Sequence, residues 1–222
     1  MTPEFVPNLE LNARFYDEIV GPLVRAWPHS AGRLGEGSEV LGFDTPRSTD
    51  HGWGPRLVVF VDADDLDATR RAVIGGLPQT FEGWPVRYGW DLYPVVHHVE
   101  VTTLSRWLVD TIGCDATTGM STVDWLLAPQ QQLLGVVRGA VYHDDGGTLT
   151  RTRQQLQWYP DEVARWILTS QWQRIAQEEA FVGRTAEADD EVGSRIVAAQ
   201  GGAVTETATD GGAVVTSVRL AR

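Results

Sequence analysis

Gly37-Ser38, followed after eleven residues by Asp50 and then by the apolar run Leu57-Val58-Val59-Phe60-Val61, is the stretch that decides the fold. A glycine–serine turn offers backbone N–H groups and a hydroxyl to phosphate oxygens. A carboxylate beside a strand can hold the Mg²⁺ that accompanies a nucleoside triphosphate. The stretch therefore predicts a nucleotide-binding cleft next to a buried strand. The alternative is a glycine-rich turn in which Ser38 caps a helix and binds no ligand.

Hydrophobic periodicity predicts a mixture of strands and helices in the first half of the chain. Apolar residues at helical spacing predict a helix over residues 8–27, which Pro22 should kink or split into two pieces. The apolar run predicts a buried strand over 56–61, and a helix follows through about residue 74. A second strand is predicted over 95–101. Because side chains alternate along a strand, its Glu100 shares a face with Val96 and His98.

The second half of the chain is predicted to be helical, which makes the fold class α+β. Helical segments are expected at about 103–112, 121–138, 161–181 and 187–199. We place an α/β domain at residues 1–115 and a helical domain at 116–199. Residues 200–222 contain Gly, Ala, Thr and Val without an aromatic side chain, and they are predicted to form a flexible tail.

Composition and charge restrict the ligands that this protein can bind. The chain is 42% hydrophobic and 22% charged, which is typical of a globular protein, and its formal net charge is −12. An acidic surface repels a polyanion, so nonspecific nucleic-acid binding is not expected. All 18 basic residues are Arg, so a cationic contact to phosphate requires Arg. Arg47 and Arg56 flank Asp50 and are candidates, of which Arg56 is assigned to the nucleotide, and the alternative is that each is a surface or structural Arg.

Cysteine content and the amino-terminal residues bear on the compartment. Cys114 is the sole cysteine, which excludes an intrachain disulfide and a site with several thiolates. The start, Met1-Thr2-Pro3-Glu4, lacks the basic and apolar regions of a signal peptide. No apolar run approaches the roughly 18 residues that a bilayer span needs. The sequence therefore predicts a soluble cytoplasmic protein without membrane contact.

Two carboxylates are the candidates for metal binding and catalysis. Nucleotidyl transfer requires a positioned triphosphate, metal ions and activation of the attacking hydroxyl. Asp50 precedes the first strand and Glu100 lies on a later strand of the same mixed region. If their side chains face one cleft, they can bind Mg²⁺ together. A chain with 30 acidic residues offers many such pairs, so the glycine–serine turn is what favours this one.

Five segments carry a resemblance to a known family: 35–45, 48–56, Val99-Glu100-Val101, Pro129-Gln130-Gln131 and 171–184. They resemble an uncharacterised bacterial family, domain of unknown function 4037, which is similar to the nucleotidyltransferase superfamily. The resemblance spans roughly residues 8–199. It implies a nucleotidyltransferase-like mixed sheet with flanking helices, followed by a helical carboxyl-terminal region. It further implies Mg²⁺-dependent transfer of a nucleoside monophosphate from a nucleoside triphosphate to a hydroxyl acceptor.

Carried over residue by residue, the resemblance assigns Gly37 and Ser38 to the triphosphate, and Asp50 and Glu100 to the metal. The superfamily's second acid, two residues after the first, falls on Gly52 and is missing. In this interpretation Asp44, Glu39 or His51 takes the place of the missing acid as a metal ligand. The alternatives are a catalytically degenerate nucleotide-binding or interaction module, and an interaction domain without a ligand. Trp53, beside Asp50, is a candidate for stacking on a base, with a core position as the alternative.

Overall fold

The computed structural model describes the backbone of residues 3–50, 52–89, 94–182, 202–208 and 214–220. Side chains are described over the same ranges, except for Asp50, residues 179–182 and the last two segments. The chain divides into two compact units, Met1–Val163 and Ala164–Arg222. This division lies well beyond residue 115, where the sequence predicts a boundary.

The helices and strands follow each other in a mixed order. The α-helices are α1 (Asn8–Phe15), α2 (Gly21–Val24), α3 (Leu66–Gly76), α4 (Leu104–Ile112), α5 (Thr122–Leu127), α6 (Gln130–Val137), α7 (Thr148–Leu156) and α8 (Asp161–Val182). The strands are β1 (Ser30–Arg33), β2 (Arg56–Phe60), β3 (Thr80–Phe81), β4 (Trp84–Pro85), β5 (Arg87–Tyr88), β6 (Val96–Thr102), β7 (Ala140–Asp144), β8 (Gly202–Ala208) and β9 (Val214–Leu220).

A mixed five-stranded sheet with the order β5-β6-β2-β1-β7 organises the first unit. β2 and β6 are parallel, whereas the other neighbours are antiparallel. The mixed α and β architecture is therefore confirmed, as are the strands predicted over 56–61 and 95–101. β7 lies between the helices predicted over 121–138 and 161–181, in a part of the chain predicted as a helical domain, and the sequence does not predict this strand. Gly139, at a φ of +77°, turns the chain out of α6 so that β7 can pair with β1.

The predicted helix over 8–27 is present as one helical segment of three parts. α1 continues through a π-helical turn, Tyr16–Val20, into α2. Pro22 has no N–H, and its ring crowds the carbonyl of Glu18, which the wider π-helical turn accommodates. The helical segment packs on one face of the sheet, where its apolar side chains join Val73 of α3 in the core.

Side-chain alternation gives the sheet a core face and a cleft face. Leu57 and Val59 of β2 and Val99 and Val101 of β6 are buried in the core. The register pairs Arg56 with His98 and Val58 with Glu100, so these four residues share the opposite face. α4 covers part of that face, where Trp107 contacts Phe60 edge-on at 5.4 Å. The shared face of His98 and Glu100 is as the sequence predicts.

The second unit contains most of α8 and a two-stranded antiparallel pair. α8 agrees with the helix predicted over 161–181, whereas the helix predicted over 187–199 lies outside the described residues. Within residues 200–222, predicted as a flexible tail, β8 pairs with β9 from Gly202 opposite Leu220 to Ala208 opposite Val214. Valine and threonine in both strands favour this pairing. Within the described ranges, no helix has the length and apolarity that crossing a bilayer requires.

Candidate functional site

A cleft of about 380 Å³ opens where the amino-terminal ends of β2 and β6 meet the loop that follows β1. The loop contributes Gly35 and Glu36, β2 contributes Arg56, and β6 contributes Glu100. Helices α4 and α6 close the remaining sides. The full lining is Arg33, Leu34, Gly35, Glu36, Arg56, Leu57, Val58, His97, His98, Val99, Glu100, Trp107, Asp110, Thr111 and Gln132. A cleft of this volume falls in the range of small-ligand sites.

The loop after β1 is shaped by a buried guanidinium. Arg33 is 1% exposed, and its Nε donates to Glu39 Oε1 at 3.0 Å. Its Nη1 donates to the carbonyl of Leu34, and its Nη2 donates to that of Glu36 and to Glu39. Burial lowers the pKa of Arg33, and the charge of Glu39 opposes this shift. Residues 34–39 therefore wrap around one cation, which fixes the backbone of the loop.

Gly37 lies directly against this ion pair. Its φ is +131°, and a Cβ there would approach both Arg33 Nη2 and Glu39 Oε2 to 2.5 Å. Only glycine fits, because any side chain would displace the charged groups. Ser38 is exposed, and its carbonyl accepts the N–H groups of Leu41 and Phe43. Gly37 and Ser38 follow the cleft-lining Gly35 and Glu36 in the loop but do not themselves line the cavity.

Glu100 and Arg56, two of the residues singled out in the sequence, both line the cleft. Glu100 is solvent-exposed, yet the cleft walls partly bury its carboxylate, and this burial raises its pKa. The charge of Asp110 adds to the rise, whereas Arg56 and Arg70 oppose it. Asn12 Oδ1 accepts the backbone N–H of Arg56 at 2.7 Å, which ties the start of β2 to α1. The side chain of Arg56 thus projects from a fixed backbone.

Asp50, the other predicted metal acid, ends a 3-10 turn, Pro46–Asp50, that precedes β2. Its side chain lies outside the described residues, and so does all of His51. Gly52, where the resemblance implies a missing acid, has a φ of +59°, in the left-handed region that glycine adopts at no steric cost and that Asp adopts more readily than most other residues. The backbone at this position therefore suits glycine without excluding an acid.

The two other acids near Asp50 in sequence have structural roles. Asp44 accepts the backbone N–H of Asn8 and the indole N–H of Trp53, and Glu39 belongs to the ion pair with Arg33. Neither carboxylate is among the residues that line the cleft. Trp53 is 7% exposed and packs edge-on against Trp84 at 4.2 Å. It is a core residue, so it does not offer a ring face for a base.

Several lining residues escape sequence reasoning. Asp110 and Trp107 lie on α4, where the helical pattern does not reveal which side chains reach the cleft. Glu36 is exposed in the loop, and Gln132 is one of three successive glutamines on α6. Glu36 and Gln132 lie in or beside segments that carry the family resemblance. Their position in those segments is the only signal that could have identified them.

A second cluster of polar groups joins His29, His143 and Asp145, with possible ligand atoms within 4.8 Å of one another. The two imidazole rings are stacked at 4.4 Å with 25° between their planes. A metal must lie near the plane of each ring, which stacked rings do not permit at one point. His29 Nδ1 is 2.8 Å from the Trp27 carbonyl, and its Nε2 is 2.8 Å from the Tyr16 hydroxyl. The cluster is a hydrogen-bonded support between β1 and β7.

Comparison with known proteins gives one match. Residues 125–206 match the family model described as "Domain of unknown function (DUF4037)". The match supports the family that the sequence resembles, and it extends from α5 into β8. The family description names no activity, so it supports no particular reaction. Neither the curated proteins nor the solved structures include a significant match.

Proposed function

We propose that this protein binds a nucleoside triphosphate with Mg²⁺ in the cleft and transfers the nucleoside monophosphate to a hydroxyl acceptor. The observation that carries the proposal is the convergence of three groups on one cavity. They are the loop that leads into Gly37-Ser38, the guanidinium of Arg56 and the carboxylate of Glu100. These are the groups that phosphate positioning and metal binding require. They come from three separate segments of the sequence.

The donor groups fit a magnesium ion. Mg²⁺ takes oxygen ligands and keeps several waters, so it needs only one or two protein carboxylates. Glu36, Glu100 and Asp110 line the cleft, and Asp50 ends the 3-10 turn six residues before β2 begins at Arg56. In this proposal Asp50 and Glu100 hold the ion, which when bound neutralises phosphate charge. The residues present are thus sufficient for one metal even without an acid at position 52.

The remaining groups bind and orient the nucleotide. Within the described residues, the N–H groups of Gly37 and Ser38 have no hydrogen-bond acceptor in the protein, so in this proposal they bind phosphate oxygens that extend beyond the cavity lining. Arg56 supplies the cation, since the chain has no Lys. Burial raises the pKa of Glu100 in the metal-free protein, and a bound Mg²⁺ would oppose that rise, so in this proposal the ion held by Glu100, rather than the carboxylate itself, would activate the hydroxyl. The catalytic role of Glu100 would be to hold that ion beside the hydroxyl.

A second candidate function is nucleotide binding without transfer. The glycine at position 52 favours this alternative, because the resemblance implies a second metal acid there and Gly52 offers no ligand. With one carboxylate fewer, the protein binds the nucleotide but activates the acceptor poorly. Both candidates require the same cleft, and only a turnover measurement separates them.

The binding experiment titrates ATP, GTP, CTP and UTP with and without Mg²⁺ and follows Trp fluorescence and Tm. A ligand at about 100 times its Kd adds roughly 2.7 kcal/mol of stability. We expect a Mg²⁺-dependent rise in Tm with at least one nucleotide. Arg56→Gln and Glu100→Gln should abolish it, whereas Arg71→Gln, on an exposed position of α3, should not. No response to any nucleotide at millimolar concentration, or unchanged responses in both cleft variants, would reject the proposal.

The turnover experiment measures pyrophosphate release with a mixture of small hydroxyl compounds, using the nucleotide that binds. Release that requires Glu100 supports nucleotidyl transfer. Nucleotide binding without release in any acceptor mixture supports the second candidate. Release that persists in Glu100→Gln would contradict the catalytic role given to this carboxylate.

A further inference from the structure

We propose that a second cavity, of about 620 Å³, binds the acceptor, and that the acceptor is an alcohol with an apolar body and one anionic group. That the bound molecule is the acceptor rests on the proposed function, whereas its apolar and anionic character follows from the residues that line the cavity. The cavity lies between α3, β6 and α4. It shares His97, Val99, Glu100 and Asp110 with the nucleotide cleft, so the two cavities adjoin at these residues.

One side of this second cavity is apolar. Leu66, Val73 and Ile74 of α3 face Val99 and Val101 of β6. Ile74 is 56% exposed, so part of this apolar side of the cavity is in contact with water. An apolar ligand body that covers Ile74 would remove this area from water, which is favourable.

Arg70 and Arg106 are the cations among the described residues that line the second cavity; Arg106 pairs with Asp110, whereas the half-exposed Arg70 is oriented by the backbone of β6. Its Nε and Nη2 both donate to the carbonyl of Val101, at 3.1 and 3.0 Å. Val101 lies on the part of β6 that does not pair with β5. Arg70 Nη1 is 3.9 Å from Asp67, whose side chain is 83% exposed, so this ion pair is weak. The Nη1–Nη2 edge of an oriented guanidinium is suited to a carboxylate or phosphate.

The other charges of the second cavity disfavour a polycationic acceptor. Asp110 pairs with Arg106 of the same helix at 2.7 Å, so its charge is compensated. Burial lowers the pKa of His97, which favours the neutral ring. Among the described residues that line this cavity, Glu100 is then the carboxylate that has no salt bridge. In the proposed function Glu100 holds the metal beside the hydroxyl. A single anionic group is the charge that Arg70 can balance.

The shared residues define how the two ligands meet. Glu100 lines both cavities, whereas Arg56 lines the nucleotide cleft and Arg70 lines the second cavity. A molecule anchored at Arg70 can therefore present a hydroxyl at Glu100 while a nucleotide occupies the cleft. The two ligands should bind at the same time.

The test uses anilinonaphthalene sulfonate, a fluorescent probe with an apolar body and one anionic group, and its uncharged analogue phenylnaphthylamine. We expect the wild-type protein to bind the sulfonate more tightly. Arg70→Gln should weaken sulfonate binding by about tenfold or more, the effect of losing a charge-assisted hydrogen bond. The neighbouring Arg71→Gln is the matched control, because Arg71 is exposed on α3 and does not line the cavity. Its Kd should stay within about twofold of the wild-type value.

Two further measurements keep the inference testable if Arg70→Gln fails to fold. With the wild-type protein, octanoate should displace the sulfonate at a lower concentration than octanol does. The sulfonate should also leave the affinity for the Mg²⁺–nucleotide complex unchanged. Equal affinity for both probes, an equal effect of both Arg substitutions, or octanol competing as well as octanoate would overturn the anionic pocket.

The outcomes for the two proposals can be distinguished. If no nucleotide binds but sulfonate binding depends on Arg70, the proposed function is rejected and the anionic pocket stands. If a nucleotide binds and the sulfonate competes with it, the nucleotide site stands and the separate acceptor pocket is overturned.

Discussion

Replacing Glu39 by Gln would test whether the buried ion pair holds the loop that borders the cleft. The substitution keeps the shape of the side chain and removes its charge. The guanidinium of Arg33 would keep the carbonyls of Leu34 and Glu36 but would lose the carboxylate that compensates it. The Arg33 side chain is 2% exposed, so water cannot replace the lost partner. Breaking a buried pair in this way costs about 3–5 kcal/mol.

The measurement is urea denaturation followed by Trp fluorescence. With an m-value of about 2–3 kcal/mol/M, the expected loss lowers the midpoint by roughly 1–2.5 M. A loss of this size is a large part of the roughly 5–15 kcal/mol that stabilises a typical domain. If the variant is unfolded without urea, the wild-type free energy of unfolding is a lower limit for the effect.

The matched control is Glu82→Gln, because Glu82 pairs with Arg14 in a comparable two-bond contact. That pair is at the surface, with side chains 39% and 35% exposed, so its loss should cost at most about 1 kcal/mol. The Glu39 variant should also bind the Mg²⁺–nucleotide complex more weakly, because the loop loses its fixed shape. Equal destabilisation by the two substitutions would refute the reasoning from burial.

Three further predictions concern other positions. Gly135→Ala should lower the free energy of unfolding by about 1–3 kcal/mol and weaken nucleotide binding, because the added Cβ would lie 2.5 Å from the carbonyl oxygen of Gly35. The control is Gly75→Ala, which has open space around it and should show neither effect in the same urea and binding assays. Burial lowers the pKa of His29 below the ordinary value of 6.5 that it has in the unfolded chain. The unfolded chain therefore binds more protons below pH 6.5, and the stability of the protein should fall as the pH falls through 6.5. Between pH 7.5 and 5.5 the Tm of His29→Gln should fall less than that of the wild type, and equal slopes would contradict this assignment. Gly52→Asp should lower the free energy of unfolding by about 1–2 kcal/mol, because φ at this position is positive. The same substitution should tighten Mg²⁺ binding measured by calorimetry. Unchanged affinity would mean that position 52 does not face the metal.

The sequence predicts those parts of the fold that have a strong hydrophobic period. β2 and β6 follow from their apolar runs, and the face of Glu100 follows from alternation along β6. β7 escapes prediction because Ala140–Asp144 is half-buried throughout, so its side chains do not alternate between buried and exposed.

The candidate site is less accessible to sequence reasoning because it depends on contacts between distant segments. Arg33 and Glu39 are six residues apart in a loop, a spacing with no periodic signal for an ion pair. The role of Asp110 depends on which face of α4 packs on the sheet, and this is set by tertiary contacts. Gly37 is the exception, since a glycine beside a serine in a turn already indicates a backbone constraint.

The pairing of β7 with β1 has a consequence for synthesis on the ribosome. In the sheet, β1 lies between β2 and β7. β2 is synthesised early, whereas β7 ends only at Asp144. Until that later segment emerges from the exit tunnel, the nascent chain exposes one edge of its sheet. Pairing over so long a separation is slow, because a large loop must close first. During that interval the open edge can pair with other polypeptides, and we expect chaperones to bind the emerging protein there.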